Sequence, residues 1–363
     1  MRSLKVNLDK KTLSSYEIRI GNGIIDRVAL LIAKNFKAGR HIIITDSNIR
    51  RLHGAKLEQS LKDVGLHVDI IEFPAGEAAK NINTVLQISE KMLQLGADRT
   101  TTLIAFGGGV TGDLVGFIAS VFMRSLPYLQ IPTSLIAQVD SSIGGKTAID
   151  LPCGKNLLGT FYQPRAVFAD LSYLETLPQN EFSNGLAEII KYGIIDDDKM
   201  FRTLEDNMDA IKNRDTSLLI KIVENCCRIK KSIVEIDEKE QGLRRILNFG
   251  HTLGHAIEAE SQYMISHGEG VALGMIAAAR LSENAGYLAA VERERIENII
   301  GMSGLPSRIP TTLSAGKIIE RLKLDKKKRG DNIHFVLVKK IGMPFVNGGM
   351  DENIIGTVIA GLQ

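Results

Sequence analysis

The segment TTLIAFGGGVTGD, residues 101–113, decides the fold. Its first half is an apolar and β-branched run, which is typical of a buried strand, and its second half is a glycine-rich turn that opens a helical pattern. A strand, a glycine turn and a helix in this order form the basic unit of an α/β domain with a parallel sheet. The sequence therefore predicts an α/β fold for this part of the chain.

Two further strand-like runs precede this segment, HIIITD at residues 41–46 and HVDIIEF at residues 67–73, with helical patterns between them. Polar or glycine residues follow each run, among them Asp46, Gly76 and Glu77. Because ligands of α/β domains bind outside the carboxyl ends of the strands, we expect these residues to lie near a ligand.

From about Glu181 onward the pattern changes to long helical periods. NGLAEIIKYGII (184–195) and EGVALGMIAAARLSENAG (269–286) are examples, and a single β-like run at 332–342 interrupts them. A chain of 363 residues is long for one core. We therefore predict a second, mostly α-helical domain.

The bulk composition is that of a globular enzyme, with 44% hydrophobic and 24% charged residues. Its 45 basic and 42 acidic residues nearly balance, so composition gives no reason to expect a nucleic-acid partner. We expect no membrane partner either, because no apolar run is long enough to span one or to act as a signal peptide. The three cysteines have no disulfide-framework spacing, which fits a reducing cytoplasm.

The glycine turn has the spacing G-x-G-x-x-G at Gly107, Gly109 and Gly112. This spacing lets a backbone approach a pyrophosphate at a helix N-terminus, but a tight turn with close packing would use it too. The turn comes late in the α/β half, and no acidic residue follows at about 20 positions, as the usual dinucleotide fingerprint requires. Both interpretations stay open.

Two lysines, Lys146 in DSSIGGKT and Lys155 in CGKNLLG, lie in what we interpret as short irregular segments, the second next to Asn156. Ammonium and amide groups in such segments suit an anionic ligand, although turn lysines are also commonly solvated. The first segment is not a nucleotide-triphosphate loop, because Asp140 stands where that motif demands glycine. The run DKKKRGD at 325–331 is interpreted from composition as a solvated turn.

Three of the seven histidines, His251, His255 and His267, are close in sequence and beside glycines. Together with one carboxylate they would form the open His/His/Glu site typical of catalytic zinc. His251 and His255 are four residues apart and lie on one helical face, so spacing alone names these two as the ligand pair. Histidines satisfied within the core or at the surface are the alternative.

A series of long motifs, in order along nearly the whole chain, resembles one known family. They are GEAAK (76–80), GGGVTGDLVGF (107–117), IPTSLIAQVDSSIGGKTAID (131–150), GKNLLGTFYQP (154–164), NGLAEIIKYG (184–193) and LNFGHTLGHAIE (247–258). They resemble the 3-dehydroquinate synthase family of sugar-phosphate cyclases. The resemblance implies an α/β N-terminal dinucleotide-binding domain (1–178) and a mostly α-helical C-terminal metal-binding domain (179–363).

The resemblance also implies an activity, a carbon-oxygen lyase that depends on NAD and on a metal, zinc or cobalt. Such an enzyme converts 3-deoxy-D-arabino-heptulosonate 7-phosphate to 3-dehydroquinate and phosphate in the shikimate route to aromatic amino acids. The implied steps are a transient oxidation by NAD, β-elimination of phosphate, re-reduction and an intramolecular aldol closure.

The residues that the resemblance implies fall into three groups. Glu188, His251 and His267 would hold the metal, and His255 would be released from it to act near the substrate. The implied NAD shell is Asp46, Asn48, Gly76, Glu77, Lys80, Gly108, Gly109, Asp113, Thr133, Ser134, Lys146, Lys155 and Thr176. The implied substrate shell is Arg124, Asp140, Lys146, Lys155, Asn156, Lys191, Lys230, Arg244, Asn248, His255 and one of Lys326 or Lys327. Within it, Asp140, Lys146, Lys191, Asn248 and His255 are expected to be catalytic.

The resemblance further implies a homodimer, in which Arg124 crosses to the neighbouring subunit's site. Three alternatives were weighed: another sugar-phosphate cyclase, a metal-dependent polyol dehydrogenase, and a non-enzymatic nucleotide- or anion-binding module. The carboxylate-binding set Lys230, Arg244 and Asn248 favours an acidic substrate over the first. A polyol dehydrogenase has no need of the predicted phosphate partners, and a non-enzymatic binding module has no need of three metal ligands together.

Overall fold

A computed structural model describes residues 1–6, 15–37, 39–196, 198–329 and 333–363, except for the side chains of 324–329. The chain divides into two compact units. The first unit comprises Met1–Pro178 and Leu219–Glu238, and the second comprises Gln179–Leu218 and Lys239–Gln363. The segment 219–238, which the sequence analysis assigned to the second domain, thus groups with the first unit.

The first unit is built on a seven-stranded sheet. Its strands, in spatial order, are β1 (Arg2–Val6), β2 (Tyr16–Gly21), β9 (Ala166–Asp170), β6 (Tyr128–Pro132), β5 (Thr102–Gly107), β3 (His41–Asp46) and β4 (Val68–Phe73). The neighbouring strands pair in parallel except for β1, which is antiparallel to β2. The helices of this unit are α1 (Ile25–Asn35), α2 (Ser47–Ile49), α3 (Ala55–Asp63), α4 (Ile82–Gln94), α5 (Gly109–Val121) and most of α8 (Thr216–Ile236). The predicted α/β fold is confirmed.

The central strands are apolar because both faces of the sheet are covered. On β3, Ile42 and Ile44 belong to one buried cluster together with residues of α4 and α5, whereas Ile43 belongs to a second cluster with residues of α1 and α3. Successive side chains of a strand point to opposite faces, so a strand between two helical layers has no polar face. This explains the unbroken runs seen in the sequence.

The carboxylate of Asp170, at the end of β9, ties together the chain segments that follow two neighbouring strands. The backbone N–H groups of Gly23 and Ile24, after β2, donate to its two oxygens at 2.7 and 2.8 Å. Both the N–H and the hydroxyl of Ser172 donate to Oδ1 as well, at 3.0 and 2.8 Å. Asp170 is 1% exposed, so these donors replace water around the carboxylate.

One part of the sequence interpretation of the first unit is wrong. The segments of Lys146 and Lys155 are not irregular, because they form an antiparallel hairpin of β7 (Lys146–Leu151) and β8 (Gly154–Phe161). Thr147 and Ile149 are buried and their neighbours are less so. This period of two is the pattern of a half-buried strand, and it is obscured in the sequence by the flanking glycines.

The second unit is mostly helical, as predicted. Its elements are α6 (Gln179–Asp196), α7 (Asp198–Lys212), α9 (His251–Glu260), α10 (His267–Asn284), α11 (Ala290–Met302), α12 (Ala315–Arg329), β10 (His334–Val338), β11 (Pro344–Gly348) and α13 (Glu352–Ala360). The β-like run at 332–342 contains β10, and its antiparallel partner β11 was not predicted. Among the described residues, no helix has both the length and the apolar character needed to cross a membrane.

Candidate active site

Glycines set the distance between α9 and α10, the helices that carry the three clustered histidines. A Cβ atom on Gly274 would lie 1.8 Å from the carbonyl oxygen of Gly250, and one on Gly254 would lie 2.8 Å from that of Gly270. No larger residue fits at these contacts, so the two backbones touch. The imidazole centroids of His251, His255 and His267 consequently lie 5.3–5.9 Å apart.

The carboxylate of Glu188 joins two of these histidines from α6. Its Oε1 lies 3.4 Å from His251 Nε2 and 3.4 Å from His267 Nε2, and its side chain is 1% exposed. The approach of α6 to α10 again depends on a glycine, because a Cβ on Gly268 would lie 2.4 Å from Asn184 Cα. Glu188, His251 and His267 form a group whose ligand atoms all lie within 4.8 Å of one another.

The contacts of Nδ1 in His251 and His267 determine which nitrogen of each ring can offer a lone pair toward Glu188. His251 Nδ1 lies 3.1 Å from the carbonyl oxygen of Phe249, and His267 Nδ1 lies 3.1 Å from Glu258 Oε1. A carbonyl and a carboxylate can only accept, so each Nδ1 carries a proton, and in the neutral ring the lone pair is on Nε2, the nitrogen that faces Glu188. Two imidazole lone pairs and a carboxylate converging on one point fit a divalent cation such as zinc.

The charges around Glu188 favour its ionised form. Burial alone would raise the pKa of Glu188, but the ammonium of Lys191 and the imidazole of His251 outweigh burial and hold the pKa well below its usual range. Lys191 is itself 1% exposed and forms an ion pair with Glu188. Both oxygens of Glu188 are buried, and the charged or polar groups nearest to them are Lys191 Nζ and the Nε2 atoms of His251 and His267. A buried anion of this kind is suited to coordinate a cation.

The pKa of His267 is strongly perturbed. Desolvation would lower its pKa, but the hydrogen bonds to Glu188 and Glu258 prevail and raise it to about 10. Each nitrogen of this imidazole thus faces a carboxylate, Nε2 that of Glu188 and Nδ1 that of Glu258. This excess of negative charge is what a divalent cation would neutralise.

The pairing of His251 with His255, inferred from helical spacing, does not match this geometry. His255 is exposed and packs edge-to-face on His251, and the structure groups His251 with Glu188 and His267 instead. Spacing along one helix could not reveal this, because two of the three grouped residues come from other helices.

The remaining candidates of the second unit lie in two places. Arg244 is 2% exposed, in a short turn before α9. In the same turn, Asn248 Nδ2 donates to Glu240 Oε1 at 2.6 Å. The side chains of Lys326 and Lys327 lie outside the described residues. Sequence reasoning missed Glu240 and Glu258, although Glu258 is one turn after His255 on the same helix and its spacing could have indicated it.

In the first unit, the glycine turn has features of both interpretations that the sequence left open, close packing and a helix N-terminus suited to a phosphate. A Cβ on Gly107 would lie 2.3 Å from Thr111 Oγ1, and one on Gly112 would lie 2.7 Å from Gln130 Oε1, so these two glycines serve packing. Gly108 caps α5, where no side chain accepts from the first N–H groups of the helix. Such an end is suited to bind a phosphate.

Several residues of the implied NAD shell surround this turn. Ser134 Oγ is buried without a hydrogen-bond partner and would lie 3.3 Å from a Cβ on Gly108. Thr133 N donates to Gly107 O at 3.0 Å, and Thr111 Oγ1 lies 3.5 Å from Asp46 Oδ2. An unsatisfied buried hydroxyl beside an uncapped helix N-terminus is an arrangement that a polar ligand can complete.

Asp46, Asn48 and Thr176 extend from the same edge of the sheet. Asp46 caps α2 by accepting from Asn48 N and Ile49 N at 3.0 and 3.1 Å. Thr176 Oγ1 lies 2.7 Å from His53 Nε2. The structure thus places them at the carboxyl ends of strands, where open α/β sheets bind their ligands.

Lys80 connects a second set of predicted residues. Its ammonium donates to Asp113 Oδ2 and Asn156 Oδ1, both at 2.5 Å, and lies 4.0 Å from Glu77 Oε1. Lys155 Nζ lies 3.9 Å from the same Glu77 oxygen. Burial would lower the pKa of Lys80, but the charges of Asp113 and Glu77 raise it, so Lys80 stays charged. Gly76 precedes this set with a φ of 104°, which favours glycine.

The remaining candidates of the first unit are Asp140 and Lys230, a pair in which Lys230 is buried and Asp140 half-buried, and Lys146 and Arg124, which are exposed. Lys230 Nζ, on α8, lies 2.8 Å from Asp140 Oδ1 and donates to Asp140 O at 2.7 Å. Arg124 lies in a segment, Met123–Ser125, whose three φ angles are 47, 70 and 114°. Such backbone strain costs about 1–3 kcal/mol per residue and clusters at functional sites.

We predict that Gly274→Ala disrupts the group of Glu188, His251 and His267. The added methyl group would collide with Gly250 O, and α9 and α10 would have to separate, which costs about 1–3 kcal/mol or more. The measurement is urea unfolding together with zinc content. Gly301→Ala is the matched control, because Gly301 also lies in a helix but a Cβ there meets nothing within 4 Å. Equal behaviour of the two variants would contradict the role of this contact.

Comparison with known proteins agrees with the motifs quoted above. The family described as 3-dehydroquinate synthase N-terminal matches residues 70–184, and the one described as 3-dehydroquinate synthase C-terminal matches residues 185–328. A 3-dehydroquinate synthase of Desulforamulus reducens is 43% identical over 343 residues, which cover 94% of this chain and 95% of the relative.

Solved structures show the same fold. A 2-deoxy-scyllo-inosose synthase, complexed with carbaglucose-6-phosphate, NAD+ and Co2+, superposes with a TM-score of 0.91 at 26% identity and covers 100% of both chains. A 2-epi-5-epi-valiolone synthase of Streptomyces hygroscopicus, with NAD+ and Zn2+ bound, gives a TM-score of 0.90 at 26% identity and covers 98% of this chain and 99% of its own. With its sequence matched over nearly its whole length, this chain belongs to the 3-dehydroquinate synthase family.

Proposed function

We propose that the chain catalyses its family's reaction with NAD and a divalent metal ion, zinc or cobalt, as cofactors. The substrate would be 3-deoxy-D-arabino-heptulosonate 7-phosphate and the products 3-dehydroquinate and phosphate, as in a phosphate-eliminating carbon-oxygen lyase. The observation that carries this proposal is the buried carboxylate of Glu188 facing the Nε2 atoms of His251 and His267. The two cyclases of similar fold, one crystallised with NAD+ and Co2+ and one with NAD+ and Zn2+, support it.

The residues present fit these groups. When bound, a divalent ion at Glu188 lowers the pKa of a coordinated hydroxyl, and NAD accepts a hydride and later returns it. The chain's own share is to hold and orient. The uncapped N-terminus of α5 and the hydroxyl of Ser134 are suited to a dinucleotide phosphate and its neighbouring polar groups. Lys191, held against Glu188, keeps a positive charge beside the ligand carboxylate.

The proposed substrate presents a carboxylate and a phosphate, and each needs cationic or amide partners. Arg244, buried in the turn before α9, and Asn248 in the same turn form one such set. Lys146 and Arg124 are exposed in the first unit, and Lys155 and Asn156 adjoin the Lys80 set. Lys230 and Asp140 hold each other, so this pair offers a donor in a fixed position.

The other hypotheses are less well supported. Another sugar-phosphate cyclase would share the metal residues. However, the inosose and valiolone synthases are each 26% identical to this chain, whereas the 3-dehydroquinate synthase of Desulforamulus reducens is 43% identical to it. A polyol dehydrogenase would release NADH as a product. A binding module without catalysis has no use for a carboxylate buried against two imidazoles.

We expect the purified enzyme, given the heptulosonate phosphate, zinc and a catalytic amount of NAD, to release inorganic phosphate without accumulating NADH. The reason is that hydride is returned within each turnover. Phosphate release and NADH absorbance are followed in the same reaction, with glucose 6-phosphate as the control substrate. NADH formed in step with phosphate would sink the proposed reaction, and equal turnover of glucose 6-phosphate would favour another cyclase.

His267→Ala should lose bound metal and activity together, because its Nε2 faces Glu188. His255→Ala should retain the metal and turn over slowly, because His255 lies outside that group. Metal content is measured by atomic emission and compared with the rate of phosphate release. Metal loss in His255→Ala but not in His267→Ala would show that the ligand assignment is wrong.

We also propose a homodimer that works in the cytoplasm. Ile82, Leu86 and Leu93 are 41–55% exposed and share one face of α4. Val121 and Phe161, which flank the hydrogen bond between Ser120 and Thr160, are 48% and 45% exposed. Exposed apolar residues grouped in this way mark interfaces between proteins.

We expect the unmodified chain to sediment at twice the mass of one chain and Leu86→Asp to shift it toward the single chain, because a carboxylate in an apolar interface is costly. Leu30→Asp, on α1, is the control, since Leu30 is 60% exposed on a different helix. A single-chain mass for the unmodified protein would contradict the dimer. The expected location in a reducing compartment is supported by the three cysteines, which form no disulfide with one another.

A further inference from the structure

Glu258 is a buried carboxylate for which the proposed reaction has so far given no role. It lies on α9 and is 4% exposed. Its Oε1 lies 3.1 Å from His267 Nδ1, on the opposite side of the ring from Glu188. A carboxylate is seldom buried without a purpose, because its transfer from water is costly.

The chain makes room for this carboxylate with a glycine. A Cβ on Gly270 would lie 2.8 Å from Glu258 Cγ and 3.1 Å from Glu258 Oε1. Gly270 follows His267 by one turn on α10, so the space that its missing side chain leaves is filled by Glu258 beside the ring. The contact is therefore built by two elements of the fold and does not depend on the chance placement of one flexible side chain.

The contact fixes the chemistry of the ring. An ionised carboxylate accepts the Nδ1 proton, so when the ring is neutral its lone pair is on Nε2, the nitrogen that faces Glu188. An imidazole without a partner at Nδ1 could carry its proton on either nitrogen, and half of the resulting arrangements would point a proton at the metal position. His251 needs no such residue, because the backbone carbonyl of Phe249 performs this task.

We propose that Glu258 is a positioning residue of the metal centre: it accepts the Nδ1 proton of His267 and so holds Nε2 in place as a ligand. This inference rests on the proposed function, because it presupposes a divalent ion at Glu188, His251 and His267. Carboxylates that orient a ligand histidine in this way strengthen metal binding by about 10–100-fold.

A competing explanation comes from the same residues. Atoms of His255, Glu258 and His267 also lie within 4.8 Å of one another, so Glu258 could ligate a cation directly. If Glu258 and His255 both ligated the cation, replacing either residue would weaken metal binding to a similar extent. If Glu258 acts through His267, only the change at Glu258 weakens binding.

The test is the zinc dissociation constant, measured by competition with a chelator, for the unmodified chain and for Glu258→Gln, His255→Ala and Ser266→Ala. Glutamine keeps the shape but removes the charge, so we expect zinc to bind about 10–100-fold more weakly. Ser266→Ala is the structural control. The hydroxyl of Ser266, at the same end of α10, donates to Glu269 Oε2 at 2.7 Å and to Asn184 Oδ1 at 2.6 Å, so its described hydrogen-bond partners do not include the ring of His267. It should lower the unfolding temperature while zinc affinity stays within about threefold.

The outcomes separate the two proposals. An unmodified chain that binds neither zinc nor cobalt overturns both the proposed function and this inference. Binding by Glu258→Gln within about threefold of the unmodified chain overturns only this inference, and so does equal weakening in His255→Ala. If Glu258→Gln does not fold, nitrogen-15 NMR of histidines in the zinc-loaded unmodified chain decides. A protonated Nδ1 and a zinc-bound Nε2 in His267 support the inference, and the reverse arrangement overturns it.

Discussion

The metal group depends on one steric constraint, the contact of the α9 and α10 backbones at glycines. Gly250 and Gly254 meet Gly274 and Gly270, so the two helices approach more closely than side chains would allow. Helices usually pack with their axes 8–10 Å apart, and only small residues permit the lower end of that range. Because His251 and His267 each begin one of these helices, the close contact places their rings against the same carboxylate. The glycines that neighbour the histidines in sequence thus act by setting how closely α9 and α10 pack, and not by contacting a metal.

The charges of the group follow from this packing. Glu188 and Glu258 are both buried, and of the neighbouring side chains Lys191 supplies one full positive charge. Two carboxylates and one ammonium leave a net negative charge in a region of low dielectric constant. Such a region binds a cation strongly, and it also favours a proton, which explains why the hydrogen bonds of His267 to Glu188 and Glu258 raise its pKa. The same carboxylates that would destabilise an empty fold therefore make a strong ligand site.

Local patterns in the sequence were sufficient to predict much of the fold. The runs at 41–46 and 101–107 contain strands β3 and β5. They could be predicted because a strand that is covered on both faces of the sheet has an unbroken apolar sequence. Strands β7 and β8 were not recognised, because short half-buried strands flanked by glycines resemble turns. In the site, spacing along α9 could connect His251 only to His255, since Glu188 lies 63 positions away on α6. Contacts between distant helices are invisible to periodicity, and the resemblance to a known family supplied the grouping that the residues alone could not.

The polar groups of the candidate sites are of two kinds, and the difference indicates how the sites are prepared for ligands. Lys80 with Asp113, and Lys230 with Asp140, already have short charged contacts, so their positions are fixed before any ligand binds. Ser134 Oγ, in contrast, is buried without a hydrogen-bond partner among the described residues. Unsatisfied buried polar atoms cost about 1–3 kcal/mol each, and a ligand that satisfies them recovers this energy on binding. The charged pairs therefore fix the positions of side chains before a ligand binds, whereas an unsatisfied buried atom favours a ligand that can form a hydrogen bond with it. Within each unit, groups that are held in place before a ligand arrives lower the cost of ordering them on binding.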